Sequence, residues 1–174
     1  MKYYFSLLFF IIPFLSNAKQ TTEEISFAQL KTAISNSEGG KKLVLMDSLS
    51  NEIVYSDTFD NDSVIRATVS FAKQLDSANI AVWHTANLIY FLNNVKGSPK
   101  EAEAIYLENK KWVAAVKDPE VLSKYYFEAG NMYYYLNEFE KSLQLFDSTN
   151  HYAQINNNYK FMGLSKLGQG GIVH

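Results

Sequence analysis

The chain repeats itself, and that repetition limits most strongly what it can fold into. Ile80 to Asn93 lies over Lys124 to Asn137 at a constant offset of 44 residues, 80 onto 124 and 93 onto 137. Asn87/Asn131, Tyr90/Tyr134, Leu92/Leu136 and Asn93/Asn137 are identical, while Trp83/Phe127 and Phe91/Tyr135 exchange one aromatic ring for another. A unit that recurs at such a period does not bury its apolar face alone and must stack on its neighbours.

Each copy precedes a second helical pattern. Ser98-Pro99-Lys100-Glu101 combines a Ser N-cap, Pro at the first helical position and Glu at the third. Ala102, Ile105 and Tyr106 follow at helical spacing, as do Ser142, Leu145 and Phe146 after Asn137-Glu138-Phe139-Glu140. Tyr106 and Phe146 are offset by only 40, so the first copy carries four extra residues around Asn94-Val95-Lys96-Gly97, expected as a lengthened inter-helix turn. Upstream, Asp62-Ser63 is expected to cap a helix running through Ala78, with Ala67 and Phe71 at small-then-aromatic spacing. Leu43, Met46, Leu49 and Ile53 suggest its partner helix after a Gly39-Gly40 break, and Glu23 to Ser35 a first, poorly anchored helix. Downstream, Leu167 to His174 is expected to open another helix, weakened by Gly168, Gly170 and Gly171.

Tyr126, Ala129-Gly130, Tyr133, Phe139, Ser142 and Phe146 resemble the tetratricopeptide signature, and Ala86, Ala102 and Tyr106 fill the equivalent small and aromatic positions one repeat earlier. Asn137 stands where that family has a turn Gly, Thr149 where it has Ala, and its closing Pro is absent. The resemblance implies an all-α fold of antiparallel helix pairs stacked as a right-handed superhelical solenoid. It divides the chain into an N-terminal helical segment over 19–60 and repeats over 61–174, at about 79–116, about 123–156 and a truncated unit at about 158–174. It also implies a groove lined by Lys124, Phe127, Asn131, Tyr134 and, marginally, Tyr135, with Ile80, Trp83, Asn87, Tyr90 and Phe91 as counterparts. Tyr126, Tyr133, Phe139 and Phe146 are expected in the core. Trp83 and Phe127 lie where groove-type carboxylate clamps place a Lys, so that mode of binding is not expected.

At the N-terminus Met1-Lys2 precedes an apolar run from Tyr3 to Leu15 and then Ser16-Asn17-Ala18, the architecture of a signal peptide over 1–18 whose removal leaves Lys19 first. The run is shorter than the roughly 20 residues a membrane span needs. Export past the inner membrane is therefore expected. The arrangement resembles the exported front half of bacterial tetratricopeptide sensor kinases and related regulators. That resemblance implies that the chain is cut short and that membrane attachment comes through sequence beyond its C-terminal end.

Hydrophobic residues make up 47% of the chain and aromatics 15%, ample for a folded core. The formal net charge is -2 without a basic stripe, so a nucleic-acid partner is not expected. There is no cysteine, hence no disulfide or thiolate chemistry. His84, His151 and His174 form no HExxH or HxH pattern, and Gly168-Gln169-Gly170-Gly171 lacks the Lys-Ser/Thr of a phosphate loop. Glu101/Glu103 and Glu138/Glu140 are two apart and point to different helix faces. Asn61-Asp62-Ser63 matches a glycosylation sequon that a helix start explains as well. The expectation is a non-enzymatic scaffold without metal or cofactor that binds protein or peptide, with self-association as the alternative.

Overall fold

The computed structural model describes residues 27–56 and 60–173. The expected signal peptide over 1–18 lies outside them. Among the described residues all regular structure is helical, and no helix is long and apolar enough to cross a membrane. After α1 (27–35) come α2 (Gly39–Ile53), α3 (Asn61–Gln74), α4 (Ala78–Tyr90), α5 (Pro99–Val113), α6 (Pro119–Tyr135), α7 (Phe139–Ile155) and α8 (Tyr159–Val173).

The boundaries follow local chemistry, in places different from the expected one. Asp60, two residues before the expected Asp62, caps α3 by accepting the Ser63 N–H at 3.3 Å. Asp62 turns to Arg66 and to Lys96, the latter at 2.6 Å. The helix expected to reach Ala78 stops at Gln74, because Asp76 takes φ +52 and Ala78 begins α4. Asn137 and Asn157 do the same between α6 and α7 and between α7 and α8, at φ +61 and +56. Asn and Asp tolerate this left-handed conformation better than other non-glycine side chains, which accounts for Asp76, Asn137 and Asn157 at these turns. Asp118 caps α6, accepting from Glu120 N–H at 2.9 Å. Pro99 does open α5, but the Ser98 hydroxyl makes no capping bond.

Two further expectations are corrected. The four extra residues are not a free loop: α4 continues as a π-helical turn, Phe91–Val95, before Gly97 breaks the chain direction at φ +63. The last helix starts at Tyr159, eight residues before Leu167, and carries its glycines through to Val173 because packing on α7 and α6 outweighs propensity.

From α2 onward sequential helices pack on one another, and α2, α4, α6 and α8 also form a row in which each touches the next. The helices α3, α5 and α7 bridge successive members of that row. The row needs small residues where helices approach closely. Ser142 Oγ donates to the Gly130 carbonyl at 2.8 Å, Ala86 and Ala102 are fully buried, and Ser50 and Thr68 share a hydrogen bond of 2.7 Å between their hydroxyls. That last bond sets the register of α3: Thr68 and Ala72 face the core, whereas the expected Ala67 is exposed and Phe71 only half-buried. Tyr106, Tyr133 and Phe146 are buried and Tyr126 is half-buried, stacked on Tyr152 with ring centroids 5.6 Å apart. Phe139 is not core. It is 42% exposed, because as the first residue of α7 it leans on Tyr134 at the outer end of the turn.

Candidate functional site along the helix row

The candidate residues lie on the even-numbered row, where each helix presents the turn around its small packing residue. Ser50, Ala86 and Gly130 occupy that packing position in α2, α4 and α6, and each is followed by an asparagine: Asn51, Asn87 and Asn131. The asparagines therefore stand at one register on three neighbouring helices.

Between α2, α4 and α6 these side chains build a chain of hydrogen bonds. Lys124 Nζ donates to Asn87 Oδ1. The amide nitrogen of Asn87 is therefore its only donor, and it approaches His84 Nδ1 at 3.1 Å and Asn51 Oδ1 at 3.4 Å. With Nδ1 accepting, the imidazole carries its hydrogen on Nε2 and donates it to Asp47 Oδ1 at 2.7 Å. Trp83 Nε1–H donates to Asn51 Oδ1 at 2.7 Å, and Asn51 Nδ2 donates to Asp47 Oδ1 at 3.1 Å. The Lys124 ammonium also sits 3.7 Å from the centre of the Trp83 ring, a cation–π contact strengthened by burial.

Burial sets the protonation of this cluster. His84 is fully buried, and desolvation lowers its pKa despite Asp47, so it is neutral at pH 7 and out of reach of a substrate. Lys124 is only 8% exposed, and burial pushes its pKa down to about 8, with Lys160 adding to the effect and Glu128 and Glu120 opposing it. Glu128, one turn further along α6, is pushed up to about 7 by burial, against Lys124, a hydrogen bond from Asn131 and Lys160. Within the described residues no ion pair joins Lys124 to Glu128, and Glu128 Oε2 has no hydrogen-bond partner.

The residues expected to line a groove thus separate into two sets. Asn87 is 1% exposed and spends its amide on neighbours, and Lys124 is spent likewise, so neither is placed to meet an added peptide. Trp83, Tyr90, Phe127 and Asn131 are half-buried, while Tyr134 and Tyr135 are exposed. Phe127 packs on Phe146 and Phe161, and Tyr90 lies edge-on to Tyr55 at 5.3 Å. Asp47, Asn51, His84 and Glu128 belong to the cluster although the sequence reading did not place them in it. A small residue followed by Asn, recurring at Ser50-Asn51, Ala86-Asn87 and Gly130-Asn131, is the signal that could have found Asn51.

The sequon asparagine Asn61 is buried and donates from its amide to Ile53 O at 2.7 Å, closing the α2–α3 turn, so it is not an open glycosylation acceptor. Among the described residues no three His, Cys, Asp or Glu side chains are grouped to hold a metal ion. No family profile, no curated protein and no solved structure matches the chain.

Proposed function

We propose that this chain is an exported tetratricopeptide-type scaffold that binds a protein or peptide segment along the α4–α6 face, and that it forms the input part of a longer signalling protein. The observation that carries the reading is the common register of Ser50-Asn51, Ala86-Asn87 and Gly130-Asn131 on adjacent helices of one row. A repeat stacked this way presents the same surface positions at each step. At the α6 step Asn131 and Tyr134 remain reachable, and Trp83, Tyr90 and Phe127 add the half-exposed aromatic surface typical of interface hot spots. The internally bonded cluster beneath supports the reading because it keeps that face rigid, which lowers the entropy cost of binding.

Selection of displayed random linear peptides on the full chain tests this. Binders that lose affinity with Asn131→Ala or Tyr134→Ala while folding is retained support it, and binders indifferent to every residue of that face overturn it.

A second reading, self-association, is favoured by α8, where Tyr159 is 77% and Leu167 74% exposed. A dimer that dissociates on Leu167→Glu supports that reading. A monomer at all concentrations removes it.

A further inference from the structure

A cavity of about 340 Å³ lies between α5, α6 and α7, formed by residues other than those of the α4–α6 binding face. Its walls are mostly apolar: Val113 and Val116 come from the end of α5 and the turn after it, and Leu122 comes from α6. Tyr126 and Tyr152 of α7 add aromatic rings to the lining, stacked nearly parallel with their planes 9° apart. The volume is in the range of small-molecule sites, which combine apolar walls with a few convergent polar groups.

Those polar groups have one electrostatic character. Tyr106, Tyr126 and Tyr152 are among the lining residues and each carries a phenol, while the Tyr125 hydroxyl is spent on the Tyr106 carbonyl at 3.2 Å. Burial raises the pKa of Tyr106 and Tyr126, so both remain neutral hydrogen-bond donors across the physiological range. The single formal charge on the lining is the ammonium of Lys110, an exposed residue with no ion pair among the described residues. No carboxylate lines the cavity. Lys110 also stands in the last turn of α5, where its ammonium offsets the partial negative charge of the helix end.

We propose that this cavity binds a small organic anion with a flat apolar body, of the aromatic monocarboxylate class, its ring against Tyr126 and Tyr152 and its carboxylate on Lys110. The phenol hydroxyls complete the head-group site. Charge-assisted hydrogen bonds of this kind are stronger than neutral ones, so the ammonium decides which ligands bind.

Phenylacetate and the matched cation benzylamine are the probes, titrated into the full chain and followed by calorimetry and tyrosine ring signals in NMR. Phenylacetate is expected to bind saturably at millimolar concentration, and benzylamine at least about tenfold more weakly, the factor that one charged contact supplies. Lys110→Met, which keeps the apolar stem at an exposed position, is expected to weaken phenylacetate by about the same factor. Ala114→Trp, which places a bulky ring on an exposed lining residue, is expected to abolish binding with helicity unchanged. Absence of saturable phenylacetate binding overturns the proposal. So does equal affinity for both probes, or phenylacetate binding that neither variant changes.

Discussion

The ring of Phe146 runs so close to Gly130 that a Cβ on that glycine would lie 2.9 Å from its Cδ1 and Cε1. On its other side Gly168 is nearer still, where a Cβ would meet the ring at 2.5 Å. One buried aromatic ring thus requires a missing side chain on each of two helices. Gly130→Leu is expected to unfold the α6–α7 pair, at the 1–3 kcal/mol or more typical of an overpacked core, roughly. Gly168→Ala should destabilise α8 for the same reason, whereas Gly163→Ala, which meets nothing within 4 Å, should be neutral or stabilising. Thermal melts by circular dichroism check all three, and full helicity with an unchanged melt in Gly130→Leu would refute the register.

The two repeated asparagines should behave differently when truncated. Asn87→Ala takes the hydrogen-bond acceptor from the buried Lys124 ammonium and the donor from His84 Nδ1, and such orphaned polar atoms cost about 1–3 kcal/mol. Tyr134→Ala, at a surface position, should stay within about 0.5 kcal/mol of the native chain. Asn131→Ala should fall between them, since it removes only the hydrogen bond to Glu128. Urea unfolding of the three variants gives the order directly, and equal losses at Asn87 and Tyr134 would contradict the division into buried and open sets.

Glu128 makes stability depend on pH in a predictable direction. Its carboxyl holds a proton more tightly folded than unfolded, so its contribution is greatest at low pH and is lost as pH rises from 4.5 to about 7. His84, whose pKa is lowered by burial, works oppositely: the fold loses stability as pH falls through the ordinary imidazole range. Lys124 likewise adds stability as pH climbs from about 8 to 10.5. Comparing the native chain with Glu128→Gln at each pH isolates the carboxyl. The native chain should lose up to about 3 kcal/mol relative to the variant between pH 4.5 and 8. A difference that does not change with pH would show that Glu128 is not desolvated.

Much of the helical layout was legible because it rests on short-range signals. Pro99 after Ser98, the Gly39 break and the spacing of Ala102, Ile105 and Tyr106 each carry their own local reason. The failures came where a tertiary contact decided. The register of α3 slipped by one residue because Thr68 meets Ser50 from another helix, and nothing within α3 announces that bond. Phe139 was misplaced because its apolar character does not show that the first residue of a helix leans outward. The site was half legible. Repetition singled out Asn87 and Asn131, but only the burial of Asn87 beneath Lys124 shows that one amide serves the fold while the other stays reachable.

The bonds from Lys124 through Asn87 and His84 to Asp47 have a polarity that the individual contacts do not. Each link dictates the orientation of the next: the ammonium selects the oxygen of Asn87, which leaves nitrogen for the imidazole, which in turn selects a single tautomer and demands an acceptor at Asp47. An inverted amide would set donor against donor at Lys124. Three helices are thereby keyed to one another like a lock with a single permitted setting, and a change at either end is felt across the row.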